Sequence, residues 1–577
     1  MLDKLEIAKA LREIAGLMQI KGENPYKARA YENGADAVEG LDEEIGVLVD
    51  EKRLTSFRGI GSALAAVIAD LYLTGRSEVL DKLREELPPG VLELANVPGL
   101  TVKRIQALHN ALGISSIEEL KTACLTGNVR KIKGFGEKTE ATILQGIHKY
   151  QTRDERILLV DALDIAEPLL DHIRSCEATE RAELAGSIRR WNETVRGIHI
   201  VAATKDTEAI FGCLDKFPRF SALEAKDEAR AAIRLTGGVM GEIVCVPPAE
   251  FAGAMVYKTG SRAHVEKLRS LAEKQGFTLD DRGLVNGSKR LALKTEEALY
   301  NTLGLALVPP ELREADGEIE AALEAGAEGS FAEDLIELGD IQGMVHCHTV
   351  FSDGKGTIEE MALGAEAMGM KYLTITDHSP AAHYANGVAL DRLKKQWDEI
   401  ARVQEKVKTL RLLRGTESDI LESGALDYPD AVLEKFDVII ASIHSRMKMD
   451  EAQMTRRLVT AMKQPVFKIW GHALGRLIQR RDPFACRVEE VLDAIAESRA
   501  AIEVNGDPYR LDMQPKWIKE ARKRGIRFVI STDAHSVGAM HNLKFGVGTA
   551  RRGGLRKSEV LNALGPEAFR KAVQPAA

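Results

Sequence analysis

The chain has few cysteines and no CxxC pair: Cys124, Cys176, Cys213, Cys245, Cys347 and Cys486 lie scattered along 577 residues. That spacing excludes a disulfide framework or a thiolate zinc site as the organising device. No run of about twenty apolar residues occurs, so no membrane-spanning helix is expected. Met1 to Leu11 is charged and helical in pattern, without the apolar core of a signal segment. A cytoplasmic protein is expected, without a membrane partner and acting as a monomer. Excess positive charge is also missing: the net charge of −8 excludes a protein coated in nucleic acid, so any DNA binding must come from local features. One basic region stands out. Residues 101–150 hold Lys103, Arg104, Lys121, Arg130, Lys131, Lys133, Lys138 and Lys149 against four acids, Glu118, Glu119, Glu137 and Glu140.

At 577 residues the chain exceeds one hydrophobic core, and three or four globular units are expected. From Gln342 onward one pattern repeats: a short apolar run ends in a polar residue and is followed by a helix-length spacer. The seven runs lead to His346, His378, Glu417, His444, His472, Asn505 and Asp533. Such a βα repeat closes into a barrel, and barrels of this kind carry their chemistry at the carboxyl ends of the strands. The candidate metal ligands are His346, His348, Asp353, His378, Glu417, His444, His472, Asp533 and His535. In His346-Cys347-His348 and Asp533-Ala534-His535 the period-two geometry of an extended chain aims both donors of each pair to one side. Nine donors are too many for one tetrahedral ion and suit two or three adjacent ions, with Glu417 as a bridge. Imidazole and carboxylate without thiolate favour Zn²⁺, Mn²⁺ or Fe²⁺ over Mg²⁺. Adjacent ions of this kind suit phosphoester hydrolysis. Glu417, Asp533 and Arg476 are the catalytic candidates. Arg446, Lys448, Arg476, Arg480 and Arg481, which follow strand ends, are candidates to receive substrate phosphates or else form a solvated rim.

His346-Cys347-His348-Thr349, Ser352-Asp353-Gly354, Thr376-Asp377-His378, Gly471-His472 and Thr532-Asp533-Ala534-His535 resemble the successive motifs of the PHP (polymerase and histidinol phosphatase) family. The resemblance covers roughly 338–577 and implies a distorted (β/α)7 barrel with all nine ligand positions filled.

Three segments in the N-terminal part place an apolar residue in a glycine turn that opens a helix: Phe57-Arg58-Gly59-Ile60-Gly61-Ser62, Val97-Pro98-Gly99-Leu100-Thr101 and Ile132-Lys133-Gly134-Phe135-Gly136-Glu137. This is a helix-hairpin-helix signature. Glycine permits the tight turn, and amides at the following helix start can bind a DNA phosphate without reading bases. Gly59, Gly61, Gly99, Lys103, Gly134, Gly136 and Lys138 are the candidate DNA contacts. The middle segment, with Leu100-Thr101 in place of the second glycine, is the weakest.

Gly186-Ser187-Ile188-Arg189-Arg190, Tyr257-Lys258-Thr259-Gly260-Ser261-Arg262 and the helical first eighty residues resemble family X DNA polymerases. With the PHP motifs, the order of parts is similar to the bacterial PolX type. The resemblance implies six parts: a helical lyase-like DNA-binding domain at 1–82, helix-hairpin-helix fingers at 83–152, and an α/β nucleotidyltransferase-like palm at 153–248. A thumb at 249–310, an acidic linker at 311–337 and the PHP domain at 338–577 complete it. It also implies that Gly186, Ser187, Arg190, Thr259, Gly260 and Ser261 descend from a nucleotide site. The family's paired palm aspartates are missing, since the matching positions hold Gly197 and His199, and only Glu242 remains of the three carboxylates. Glycine cannot hold Mg²⁺, so polymerase activity is expected to be absent or weak. The family's lyase lysine would fall near Ala66-Val67-Ile68, where there is no amine, with Lys27 or Lys52 as substitutes.

The expected function is a metal-dependent PHP nuclease, a 3′→5′ exonuclease or a trimmer of 3′ ends and abasic sites, on gapped, nicked or 3′-ended DNA held through its backbone. The alternatives are a small-molecule phosphatase of the histidinol-phosphate type, an active family X polymerase, and a non-catalytic DNA-binding scaffold.

Overall fold

The computed structural model describes residues 4–21, 23–39, 45–57, 59–86, 94, 97, 100–151 and 156–575. The chain divides into two units, Met1–Glu155 and Arg156–Ala577.

The first unit is helical. Helices Lys4–Lys21 and Pro25–Glu39 pair through an apolar stripe, and Ile7, Leu11, Ile14 and Met18, spaced three and four apart, are fully buried. Val67 and Ile68, on helix Ser62–Thr74, lie in the same core, so the position expected to lack a lyase amine is apolar packing. A second small core is built by helices Val102–Leu112, Ile117–Leu125 and Glu137–Gln151.

Two hairpin segments have the expected form. Gly59 and Gly134 adopt φ of +96° and +92°, a region costly for other residues. Ile60 and Phe135 are buried as anchors, and Gly61 and Gly136 lie exposed beside the next helix start. A Cβ at Gly61 or Gly136 would meet nothing within 4 Å, so packing does not demand glycine there, and its bareness leaves the helix amides approachable. Gly99 and Pro98 of the middle segment lie outside the described residues, whereas Thr101 caps the helix Val102–Leu112. Lys103 and Lys138 are exposed. Arg130, counted in the basic patch, is instead bonded to Glu140 at 2.6 Å and Glu137 at 3.1 Å.

The second unit opens with a five-stranded sheet in the order Arg181–Leu184, Ile198–Ala203, Met240–Val246, Arg230–Leu235, Phe220–Lys226. The central pair is parallel and sets His199 opposite Glu242. A three-stranded sheet, Phe277–Asp280, Gly283–Asn286 and Lys289–Arg290, with helices Phe251–Thr259 and Arg262–Lys274, forms the thumb.

The stretch expected to be an acidic linker, 311–337, is instead packed in part against the thumb. Ile319 and Ala322, on helix Glu318–Ala325, belong to the thumb core. Glu318 is buried against His264 Nδ1 at 2.6 Å, and Glu311 pairs with Arg551 at 2.8 Å. The acidic residues were legible in sequence, but their partners lie far along the chain.

Seven parallel strands follow in sequential order: Gly343–Met344, Tyr372–Ile375, Arg411–Asp419, Val438–Ser442, Lys468–Trp470, Ala500–Asn505 and Phe528–Ser531. A bridge between Cys347 and Ala534 joins the ends of the first and last, so the barrel is nearly closed. Leu413, Ile440, Ala501 and Val529 fill the interior, and Phe569 and Val573 of the final helix join the same core. Period two continues these inward positions to Glu417, His444, Glu503 and Asp533 at the carboxyl ends. Palm and barrel share apolar packing: Ile188 and Ile198 lie in one core with Ile478, Leu511 and Phe545, and Trp191 meets Phe545 edge-on at 5.9 Å.

Candidate metal centre

All nine sequence-predicted donors converge at the barrel's carboxyl end. Three overlapping groups have ligand atoms within 4.8 Å of one another: His348, Asp353, His378 and His535; His346, His348 and Asp533; and His378, Glu417 and His444. His472 joins them through its Nε2, 2.8 Å from Glu417 Oε1. Glu417 is central, fully buried, and faces His378 at 3.0 Å and His444 at 3.2 Å as well. Asp353 and His535 form the open rim of the cluster.

Two of the donors sit on strained backbone, His472 at φ +24° and Asp533 at +53°. Such conformations persist where the surrounding structure over-determines them, as at functional sites. Carboxylates outside the nine hold these donors in place. Glu503 accepts from His346 Nδ1 at 2.6 Å, from the His472 amide and from Ser531 Oγ, which turns His346 Nε2 toward Glu417 and Asp533. Asp377 accepts from the Thr349 amide and hydroxyl, Ser352 Oγ and Gln396, and so holds the loop that carries Asp353. Asp419 stands 3.3 Å from His444 Nδ1. Sequence reading missed Glu503. Its signal was there, a charged residue in an apolar strand in period with Asn505.

Electrostatics follow from burial and crowding. Burial pushes His378 down, but Glu417 and Asp353 override it and raise its pKa to about 10. Buried His444 and half-exposed His535 are both raised to about 9, because the carboxylates beside them outweigh desolvation. His348 goes the other way: burial and the neighbouring His535 and His378 lower it to about 3. Burial raises the Glu417 carboxyl, yet His444, His378 and His346 outweigh it and hold it well below the usual range.

The donor set fits divalent metal ions. His346 Nε2, both ring nitrogens of His348, and Glu417 Oε2 are buried without a hydrogen-bond partner, a costly state for a polar atom unless a cation completes it. Six imidazoles with three carboxylates supply neutral and anionic donors in the mixture that first-row transition ions accept.

Arg476 does not enter the cluster. Its buried Nη2 donates to Glu193 of the palm at 2.6 Å and to the Leu511 carbonyl at 2.7 Å. It is thus a strut between two domains rather than a group facing the donors, because the loop after His472 turns back toward the palm. Arg481 donates to the Gly475 carbonyl, Arg480 lies over the Tyr509 ring, and Arg446 pairs with exposed Glu422. The arginine nearest the donors is one that sequence reading did not single out: Arg510, whose Nε is 3.7 Å from Asp533 Oδ2.

The residues expected to descend from a nucleotide site are also gathered. Arg190 donates to the Thr259 carbonyl and lies 3.2 Å from Glu314, while Arg189 reaches Thr259 Oγ1 at 2.7 Å and pairs with Glu296. Ser261 Oγ caps the helix Arg262–Lys274, and Gly186 packs under His199 with φ +65°. Where the palm carboxylates would stand, His199 Nδ1 lies 3.0 Å from Glu242, and Lys258 Nζ lies 3.1 Å from the same carboxylate. The His199 contact first, then Lys258, lowers Glu242 to about 2 against the cost of burial. A Cβ at Gly197 would stand 2.8 Å from the Met240 carbonyl oxygen, so the position is closed to a side chain without a backbone shift.

The barrel and its donor cluster define a PHP-type metal-binding domain, joined to a polymerase-like palm and thumb and to DNA-binding hairpins. Matches to family models agree: helix-hairpin-helix domain over residues 3–77, SAM-like helix-hairpin-helix tandem over 91–149, DNA polymerase beta thumb over 254–314 and PHP domain over 345–507. The DNA polymerase/3′-5′ exonuclease PolX of Bacillus subtilis is 34% identical over 564 residues, 97% of each chain. This chain belongs to the bacterial PolX family of DNA-binding enzymes. A probable phosphatase of Caldanaerobacter subterraneus is 29% identical over 201 residues, 33% of this chain and 74% of that protein. Another from a Thermoanaerobacter species is 28% identical over 232 residues, 38% and 88% respectively.

Proposed function

We propose that this protein is a metal-dependent nuclease that trims 3′ ends of gapped or nicked DNA at its PHP barrel, and that its palm does little or no nucleotide transfer. The observation that carries this reading is the contrast between nine converging donors with orphaned buried atoms in the barrel and a single carboxylate already neutralised by Lys258 in the palm. Two or three Zn²⁺, Mn²⁺ or Fe²⁺ ions would be held by the nine donors, and when bound they would acidify water and neutralise phosphoryl oxygens. The chain's own residues do the rest. Glu503 orients His346, Asp377 holds the loop of Asp353, and Glu417 and Asp533 supply the anionic charge at the centre. In the palm, Mg²⁺ would have to displace the Lys258 ammonium from Glu242 and would find no second carboxylate at Gly197 or His199.

The exposed glycine turns at Gly59–Gly61 and Gly134–Gly136, with Lys103 and Lys138, supply backbone phosphate contacts without base preference. All six cysteines are free thiols, in keeping with a cytoplasmic protein. Among the described residues no helix is long and apolar enough to cross a membrane.

The test is incubation of Mn²⁺- or Zn²⁺-loaded protein with a 5′-labelled gapped duplex and dNTPs, beside a His346→Ala/His348→Ala variant. Shortening lost in the variant, with no extension, is the expected result. Extension of the primer would refute the inactive palm. An intact primer with cleavage of a small phosphomonoester would move the assignment to the second reading, a phosphatase, which the names of the barrel's relatives favour.

A further inference from the structure

The mouth of the donor cluster carries an aromatic ring that neither the fold nor the ligation requires. Tyr384 is 69% exposed, yet its ring centroid lies 5.9 Å from His378 and 6.1 Å from His444. The loop beneath it is anchored from several directions. Ala382, Ala385 and Val388 are buried, the Val388 amide donates to the His378 carbonyl at 2.7 Å, and the Ala381 amide donates to Asp427 at 2.6 Å. Arg392 ties this loop, through Asn386, to the Phe351 carbonyl on the neighbouring ligand loop. A large apolar face is thus held in water on a rigid support beside two metal ligands, a cost that the hydrophobic effect leaves standing unless something covers it.

Beside another group of the same cluster lies Arg510. Its Nε is 3.7 Å from Asp533 Oδ2 and 3.4 Å from Asp507 Oδ2, and that buried nitrogen has no hydrogen-bond partner. With 20% of its side chain exposed, this guanidinium is a cationic fork at the edge of the donor cluster and is suited to a phosphate oxygen.

We propose that Tyr384 is the stacking platform for the terminal base of a DNA strand and that Arg510 receives its phosphate, so that the barrel selects nucleotides over bare phosphoesters. This rests on the reading of the barrel as a phosphoesterase and specifies what it recognises. Stacking on an aromatic face is sequence-tolerant because every base has a π-face, which matches hairpins that grip backbone alone.

The test uses the full-length, Mn²⁺-loaded protein and titrates dAMP and deoxyribose 5-phosphate by calorimetry, with shortening of a 5′-labelled strand followed in parallel. Wild type should bind dAMP more tightly than the base-less sugar phosphate. Tyr384→Ala should weaken dAMP by about 5- to 150-fold, the range of one stacked base, and leave deoxyribose 5-phosphate unchanged. Tyr384→Phe should restore the difference, and Arg510→Gln should weaken both ligands alike. If Tyr384→Ala binds dAMP as wild type does while the wild type shortens DNA, the platform is wrong and the nuclease stands. If the binding difference persists but no strand is shortened, Tyr384 reads a base in an enzyme that is not a nuclease. Equal losses for both ligands in Tyr384→Ala would show a structural role and overturn the proposal.

Discussion

Barrel and palm present their polar residues by the same device, parallel strands whose register brings distant residues side by side, yet the outcomes are opposite. In the barrel, Glu417 is surrounded by five imidazoles, of His346, His348, His378, His444 and His472, and donor atoms remain unpaired. In the palm, register sets His199 beside Glu242, and Lys258 completes the contacts of that carboxylate. A cation entering the barrel relieves buried orphans; one entering the palm must evict an ammonium. Strand register alone therefore does not fix what a site can bind, which depends on whether the polar atoms are left open. The palm keeps a structural use, since its core continues into the barrel through Ile478, Leu511 and Phe545.

The widest gap between the two regions should appear on removing ligands. His346→Ala/His348→Ala is expected to abolish strand shortening to the level of metal-free protein, whereas Glu242→Gln should leave shortening within about twofold, as a remote, independent site predicts. A gel assay of both variants decides it, and an equal loss in the two would erase the distinction. Next in size is the shared core. Phe545→Ala should cost about 3–5 kcal/mol of stability, the usual range for a buried phenylalanine, and lower the midpoint of palm and barrel unfolding together in a denaturant titration.

Metal loading should sharpen the contrast and depend on pH with a definite sign. At 100 times its Kd, a bound ion stabilises by about 2.7 kcal/mol. In the metal-free protein His378, His444 and His535 have pKa values raised to about 10, 9 and 9. Their contribution to stability is full below the unfolded histidine value, about 6.5, and is lost as pH rises toward 9 to 10. Metal must displace those protons, so its affinity and its stabilising effect should both grow from pH 6.5 to 9, with protons released on binding. Calorimetry in two buffers of different ionisation heat measures the release. Affinity that is flat or falls with pH would remove these histidines from the ligand set.

Glu503→Gln should lower metal affinity or rate by about 10- to 100-fold without removing a ligand, as loss of an orienting carboxylate does. Smallest is Lys258→Ala, expected to cost about 1 kcal/mol near neutral pH as a part-buried ion pair is lost. Glu242 is lowered to about 2 in the folded protein, so the stability it contributes is present above its ordinary value, about 4.5, and fades as pH falls toward 2. In Lys258→Ala that acid-labile part should shrink, which thermal melts from pH 7 to pH 3 would detect.

Much of this was written in the chain. Donors spaced by βα units announce themselves because period-two strands and helix-length spacers translate directly into a ring of strand ends, and all nine arrived together, eight in overlapping groups and His472 through Glu417. Glycine turns at Gly59 and Gly134 were equally legible, since positive φ is a local demand on one residue. That positions 197 and 199 hold Gly197 and His199, neither of them a carboxylate, could be read from identity alone. What tertiary structure decided were partners far apart in sequence. Arg476 faces Glu193 rather than the donors, Glu318 is buried on His264 rather than solvated, and Lys258 sits on Glu242. Local geometry is a property of neighbouring residues, whereas the destination of a long charged side chain depends on which opposite charge the fold brings within reach.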